Sequence, residues 1–291
     1  MPRLFASILL VASVLHSSSS TEEATCVTPR NIIKDGAEVG LSKWPSSIEH
    51  GFNVTTIDSS KQIFYVQSFM SPDEAKIFGA LCEAEGNEGR FVRSPQRKRD
   101  EAGQQTILGV EEQGARTSAS CPLLFSLFYL PLKEKIATSS PHLLRELEMT
   151  WDVTERAAKL LDVLPSQVEP IQLIRYEPGQ FYKVHHDHSG YYEGNNQTGP
   201  KGEDRPITML LFLSEVESGG NLRFPKLGLE FIPRIGDAVA WSNVDAENLA
   251  DPDMVHEGMP PKSGSKLAAN IWVRTEPFDS PKLGANVFKT K

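Results

Sequence analysis

Residues 171–187 read IQLIRYEPGQFYKVHHD. Two short runs, IQLIRY and FYKVHHD, mix apolar and polar side chains over six and seven positions and are split by Glu-Pro-Gly-Gln. That texture is of strands joined by a turn, since a helix would repeat its apolar residues every three or four positions. It continues through ITMLLFLSEV, NLRFP, LEFIP, DAVAWS and KLAANIWVR, with Gly, Pro and Asn clusters between the runs. About eight short strands so spaced predict an antiparallel β sandwich or barrel.

Upstream of Pro170 the pattern differs. IFYVQSF (63–69) reads as a strand. In the segment that follows, SPDEAKIFGALCEAEG, Ser71 is placed as an N-cap, Pro72 at the first helical position and Glu74 to close a capping box. A second helical zone spans about 122–163, with TERAAKLLDVL its clearest part, while residues 86–115 read as exposed loop, the basic run Arg97–Arg99 included. Helices first and strands after predict an α+β chain, a jelly-roll β core over about 168–275 inside a domain of 61–280, with N-terminal supporting helices.

Residues 21–60 are polar and weakly patterned and are expected to form a flexible lead-in. Residues 1–20 place Arg3 before the apolar run Leu4–Leu15 and then small polar residues, the layout of a secretory signal peptide. The run falls short of the ~20 apolar residues of a spanning helix, so an uncleaved signal anchor is the lesser reading. The expected location is the secretory pathway, in the endoplasmic reticulum lumen or outside the cell. The sequons at Asn53 and Asn196 suit a lumenal glycoprotein. Three cysteines, Cys26, Cys82 and Cys121, permit at most one internal disulfide; Cys82, on one helical face with Phe78 and Leu81, reads as a buried thiol. The net charge of −8 excludes the basic surplus that binds a phosphate backbone, so no nucleic-acid partner is expected.

Chemistry concentrates where the strands begin. On a strand, His185 and Asp187 share a face and His186 takes the other. A third ligand is available in DMVHEG, at His256. Two histidines and one carboxylate on one face form the triad that holds Fe(II) and leaves positions open for cosubstrate and O2. His186 and His188 read as exposed polar residues. Lys266 follows His256 by ten positions at the start of the last strand, where it can pair with a bound carboxylate.

These residues resemble the 2-oxoglutarate- and Fe(II)-dependent prolyl 4-hydroxylases of procollagen and plant or algal type. The resemblance rests on YEPGQFYKVHHD, HEGMPPKSGSK, RPITMLLFLSEVESGG, IPRIGDAVAW and GARTSAS, and runs from about Ile63 to Arg274. It implies a double-stranded β-helix, Fe(II) held by His185, Asp187 and His256, and 2-oxoglutarate bound through Lys266 with Tyr176 hydrogen-bonding to it. It places Tyr182 and Arg205 along the groove for a proline-containing peptide, and implies O2 as oxidant and ascorbate as an accessory reductant. Tyr191, Tyr192 and Trp241 are further aromatic candidates for that groove. The chain departs from the pattern at Leu222, in GGNL, where the family often has Thr facing the cosubstrate, and in the loop 189–204. Alternatives are the same iron chemistry on another residue or a small molecule, and a non-catalytic jelly roll that binds peptides.

Overall fold

The computed structural model describes residues 30–43, 45–83, 89–94, 97–99, 105–107, 114–123, 141–188, 191–192, 195–196 and 204–277. The expected signal peptide and Cys26 lie outside these residues.

The apolar run of the strand Ile207–Phe212 explains itself once its neighbours are known. It lies inside a nine-stranded antiparallel sheet with both faces covered: Met209 and Leu211 face one hydrophobic cluster, Leu210 and Phe212 the other. A strand buried on both sides has no reason to alternate with polar residues. Edge to edge this major sheet runs Ser46–Glu49, Phe52–Asp58, Ile63–Gln67, Ala238–Ser242, Ile207–Phe212, Lys266–Val273, Gln172–Tyr176, Ala119–Pro122, Val92–Arg93. The minor sheet has six strands in the order Tyr182–His185, His256–Gly258, Leu222–Phe224, Leu229–Phe231, Arg30–Lys34, Ala37–Gly40. Between the sheets lies a core in which Tyr65, Phe212, Val239 and Trp241 of the major sheet meet Ile32, Leu222, Phe224 and Phe231 of the minor one. This is the expected jelly roll.

Two helices brace the outer face of the major sheet. Helix α1, Pro72–Gly79, begins as anticipated: the Ser71 hydroxyl accepts from the Glu74 amide at 3.2 Å. The Glu74 carboxylate does not close a capping box but pairs with Arg156 of helix α2, Pro141–Leu161. Leu147, Thr150, Val153, Thr154, Ala157 and Ala158 of α2 are buried, a spacing of three and four that makes one inward stripe. Phe78 of α1, Val153 and Ala157 of α2, and Leu173 and Ile271 of the sheet share one cluster.

Three expectations are corrected here. From Arg30 onward the lead-in is ordered, giving two strands to the minor sheet and the strands Ser46–Glu49 and Phe52–Asp58 to the major one. Sheet pairing overrides the weak local pattern: Ser46–Glu49 and Ala37–Gly40 are edge strands with little to bury, while the inner strands Arg30–Lys34 and Phe52–Asp58 bury only a few side chains, Ile32, Val54 and Ile57 among them. Cys82 is not a free thiol: it forms a disulfide with Cys121 across 39 residues. Cys121 is brought to it by the strand Ala119–Pro122, whose register opposite Gln172–Arg175 is a long-range fact invisible in local sequence. The region 86–115 is not uniformly loop, since Val92–Arg93 pairs with the strand Ala119–Pro122 and Arg97–Arg99 pairs with Gln105–Ile107.

Candidate metal centre

The minor sheet sets the first two ligands opposite each other. His185 and His256 are cross-strand partners in the antiparallel pair, with ring centroids 4.4 Å apart and an interplanar angle of 60°. Asp187 lies two residues past His185, where the strand has already ended, so it turns inward from a bend rather than along a strand face. Asp187 Oδ1 is 3.7 Å from His185 Nε2, and Oδ2 is 3.5 Å from His256 Nε2. One ligand atom from each of the three lies within 4.8 Å of the others, the one such group of His, Cys, Asp or Glu among the described residues.

The tautomers are set by the backbone. His185 Nδ1 is 2.8 Å from the Lys183 carbonyl and His256 Nδ1 is 3.0 Å from that of Met254. A carbonyl only accepts, so each Nδ1 carries a proton, and in the neutral ring it is Nε2 that has the lone pair a metal would take. Burial, and His256 beside it, push the His185 imidazole down to about 3, so it stays neutral. Burial alone would raise the Asp187 carboxyl, but the adjoining His256, His185 and Arg205 hold it well below the usual range. Two imidazoles that can turn Nε2 inward and one carboxylate converging on a point fit a divalent transition metal, Fe(II) foremost.

Asp187 is held by two donors that sequence reasoning did not single out. Thr208 Oγ1 donates to Oδ2 at 2.9 Å and Trp272 Nε1 donates to the same oxygen at 3.1 Å. Both side chains come from strands of the major sheet, so the carboxylate bridges from the minor sheet to the major one.

Lys266 is 1% exposed, and no carboxylate pairs with it among the described residues. Its ammonium lies 5.3 Å from the Tyr176 ring centroid and 5.8 Å from that of Phe212. Tyr176 is its register partner on the adjacent strand and is itself buried, with its hydroxyl bonded to Ser118. Burial pushes the Lys266 amine down to about 7. A buried cation with no anion of its own is a receptor for an anionic group.

Tyr182 is stacked on His185, centroids 3.5 Å apart and planes at 16°, and the Arg116 guanidinium lies 4.6 Å from the Tyr182 centroid. Burial pushes the Tyr182 phenol up to about 12, so it remains a hydroxyl donor. Arg116 falls in GARTSAS, which sequence reasoning noted without assigning a role; an isolated bridge from Arg116 to Tyr182 carries it to the site. Arg205 is placed near the centre but its Nε and Nη2 are taken by Glu169, both at 2.8 Å. The guanidinium lies 3.8 Å from the Trp272 centroid, above the residue that holds Asp187. Arg274 joins the same carboxylate at 2.8 Å. Leu222 sits in the inter-sheet core, 3% exposed.

Other candidates fall elsewhere. Trp241 is not a groove residue; it is 2% exposed and packs edge-on to His256, centroids 4.9 Å apart. Tyr191 stacks on His186 at 4.4 Å. His188 and His186 are not exposed loop residues: His188 is 4% exposed, and His186 accepts from the His188 amide at Nδ1 and donates from Nε2 to the Asp251 carbonyl. The loop carrying Asp187 folds back on itself, which a strand reading could not anticipate.

Residues 171–274 match the family model described as the 2OG-Fe(II) oxygenase superfamily. The chain is 32% identical over 161 residues to prolyl 4-hydroxylase 1 of Arabidopsis thaliana, covering 49% of this chain and 55% of that one. It is 34% identical over 128 residues to prolyl 4-hydroxylase 13 of the same plant, covering 38% and 44%. The chain thus spans about half the length of the curated relatives it matches. Its fold is similar to that of a viral collagen prolyl hydroxylase from Paramecium bursaria Chlorella virus-1 solved with 2OG, at a TM-score of 0.51 and 20% identity, over 76% of this chain and 99% of that one.

Proposed function

We propose, from the premise that residues 171–274 are a 2OG-Fe(II) oxygenase domain of the prolyl 4-hydroxylase kind, that this protein hydroxylates prolyl residues of peptides. The products would be 4-hydroxyproline, succinate and CO2. The observation that carries the reading is a triad with both histidines in the metal-binding tautomer beside a buried lysine with no anion of its own.

Fe(II) at His185, Asp187 and His256 would supply oxidation of an unactivated C–H bond by O2, coupled to decarboxylation of 2-oxoglutarate. The protein's part is to bind, orient and exclude water. Lys266 takes the distal carboxylate of 2-oxoglutarate, and that ion pair restores the charge that burial suppresses. Tyr176, against Lys266, narrows the same space, with its hydroxyl 3.0 Å from where a Cβ at Gly258 would stand, so a larger residue at 258 would push on the phenol. Tyr182 keeps its hydroxyl protonated beside His185 and offers an aromatic face and a donor to a peptide, a pairing that suits an extended proline-rich chain. Arg205, committed to Glu169, serves first as a brace over Trp272.

The site of action we infer is the secretory pathway. The Cys82–Cys121 disulfide supports an oxidising compartment, and the Asn53 sequon lies on an exposed strand position. Ascorbate as reductant belongs to the same proposal. Among the described residues no helix is long and apolar enough to cross a membrane.

The test is incubation of purified protein with Fe(II), 2-oxoglutarate and poly-proline, collagen-like or Ser-Pro-rich peptides. A 16-Da gain that resolves to 4-hydroxyproline supports the reading. Succinate formation without any hydroxylated proline would move the assignment to another substrate class, and no succinate at all would favour the non-catalytic reading.

A further inference from the structure

Behind Asp187 lies a buried chain of hydrogen bonds whose direction can be read off its members. Trp241 Nε1, which can only donate, gives its proton to Asn243 Oδ1 at 2.9 Å. That fixes the amide, so Asn243 Nδ2 faces Thr208 Oγ1 at 2.8 Å and the Arg205 carbonyl at 2.9 Å. Because the Thr208 oxygen already accepts from Asn243, its own proton is left for Asp187 Oδ2 at 2.9 Å. Asn243 and Thr208 are both 0% exposed and Trp241 is 2% exposed, so water does not compete for these bonds. The first member, Trp241, also packs edge-on to the His256 ring.

We propose that Thr208 and Asn243 are positioning residues for the metal centre: the relay from Trp241 through Asn243 and Thr208 orients the Asp187 carboxylate and tunes the affinity of the His185–Asp187–His256 site for its divalent metal. The proposal rests on the metal-centre reading above. Thr208 donates to Oδ2 together with Trp272, so one carboxylate oxygen is tied to the major sheet while Oδ1 stays turned toward His185. Partners of ligands that fix orientation in this way change metal affinity by roughly 10- to 100-fold when removed.

The test uses Co(II) as a spectroscopic probe, titrated into the whole metal-free protein in parallel with its thermal unfolding. Thr208→Val keeps the shape and leaves Asn243 bonded to the Arg205 carbonyl; it is expected to weaken Co(II) binding roughly 10-fold or more. Thr208→Ser restores the hydroxyl and is expected to restore affinity. Asn243→Asp turns the donor into an acceptor, so the Thr208 proton swings away from Asp187; the loss should match that of Thr208→Val, with melting of the metal-free protein kept cooperative. The double variant Thr208→Val/Asn243→Asp should bind no more weakly than the weaker single, because both changes break one chain. Wild-type affinity in Thr208→Val, no rescue by Ser, or additive losses would each overturn the relay. A wild-type protein that holds no Co(II), or holds it equally after Asp187→Ala, overturns the metal-centre reading beneath it.

Discussion

Lys266→Met should make the metal-free protein more stable while removing its response to 2-oxoglutarate. The lysine is 1% exposed, it faces two aromatic rings, and burial holds its amine at about 7 against an ordinary 10.5. At about 1.4 kcal/mol per pH unit that depression amounts to a gross penalty of about 5 kcal/mol for the charged form. Local relaxation reduces it, so an apolar side chain of similar length should gain about 1–4 kcal/mol, the range seen when buried ionic groups are replaced by packed apolar ones. The sign with pH follows from proton linkage. Between about pH 7 and 10.5 the unfolded chain holds a proton on this lysine that the folded chain does not, so wild-type stability rises with pH across that window. Below pH 7 the penalty is full. The advantage of Lys266→Met should therefore be greatest at pH 6 and vanish toward pH 10.5. Urea unfolding of both proteins in chelator, at pH 6 and pH 9, measures it. With Mn(II) added, 2-oxoglutarate at 100 times its dissociation constant should stabilise wild type by about 2.7 kcal/mol and the variant by less than about 1 kcal/mol. A variant less stable than wild type at pH 6, or one still stabilised fully by 2-oxoglutarate, would refute the assignment of Lys266 as an unneutralised anion receptor.

Removing the disulfide by Cys82→Ser with Cys121→Ser frees a 39-residue loop, and chain-entropy arguments put the loss at about 4 kcal/mol; equal denaturation midpoints for wild type and variant would contradict it. Arg205→Ala leaves the Glu169 carboxylate, 8% exposed, to Arg274 and uncovers Trp272, so it should lower stability by about 1–3 kcal/mol and peptide turnover together. Unchanged stability with lost turnover would instead make Arg205 a direct peptide contact.

The legible part of this protein is the part where local pattern and global burial agree. Strands such as Ile207–Phe212 and Ala238–Ser242, buried on both faces, announce themselves as apolar runs, and the turns between them carry Gly and Pro. His185, Asp187 and His256, which the structure brings together, were legible through the family resemblance of their surrounding motifs more than through spacing, since Asp187 reaches its place from a bend rather than along a strand. What escaped was set by pairing partners far along the chain. The strand Ser46–Glu49 is exposed at every position and has no pattern to read. Cys82 meets Cys121 only through sheet register, and Asn243 acquires a role only when it is laid beside Thr208. His188 reads as a solvent residue because nothing local in the sequence signals that it is buried, at 4% exposed.

The most direct measurement is succinate release by purified wild type and Asp187→Ala with Fe(II), 2-oxoglutarate, O2 and a proline-rich peptide. Wild type should turn over only with iron and 2-oxoglutarate both present. Asp187→Ala, folded by its melting profile, should release none. Turnover retained by Asp187→Ala, or turnover by wild type without iron, would contradict the metal centre at His185, Asp187 and His256.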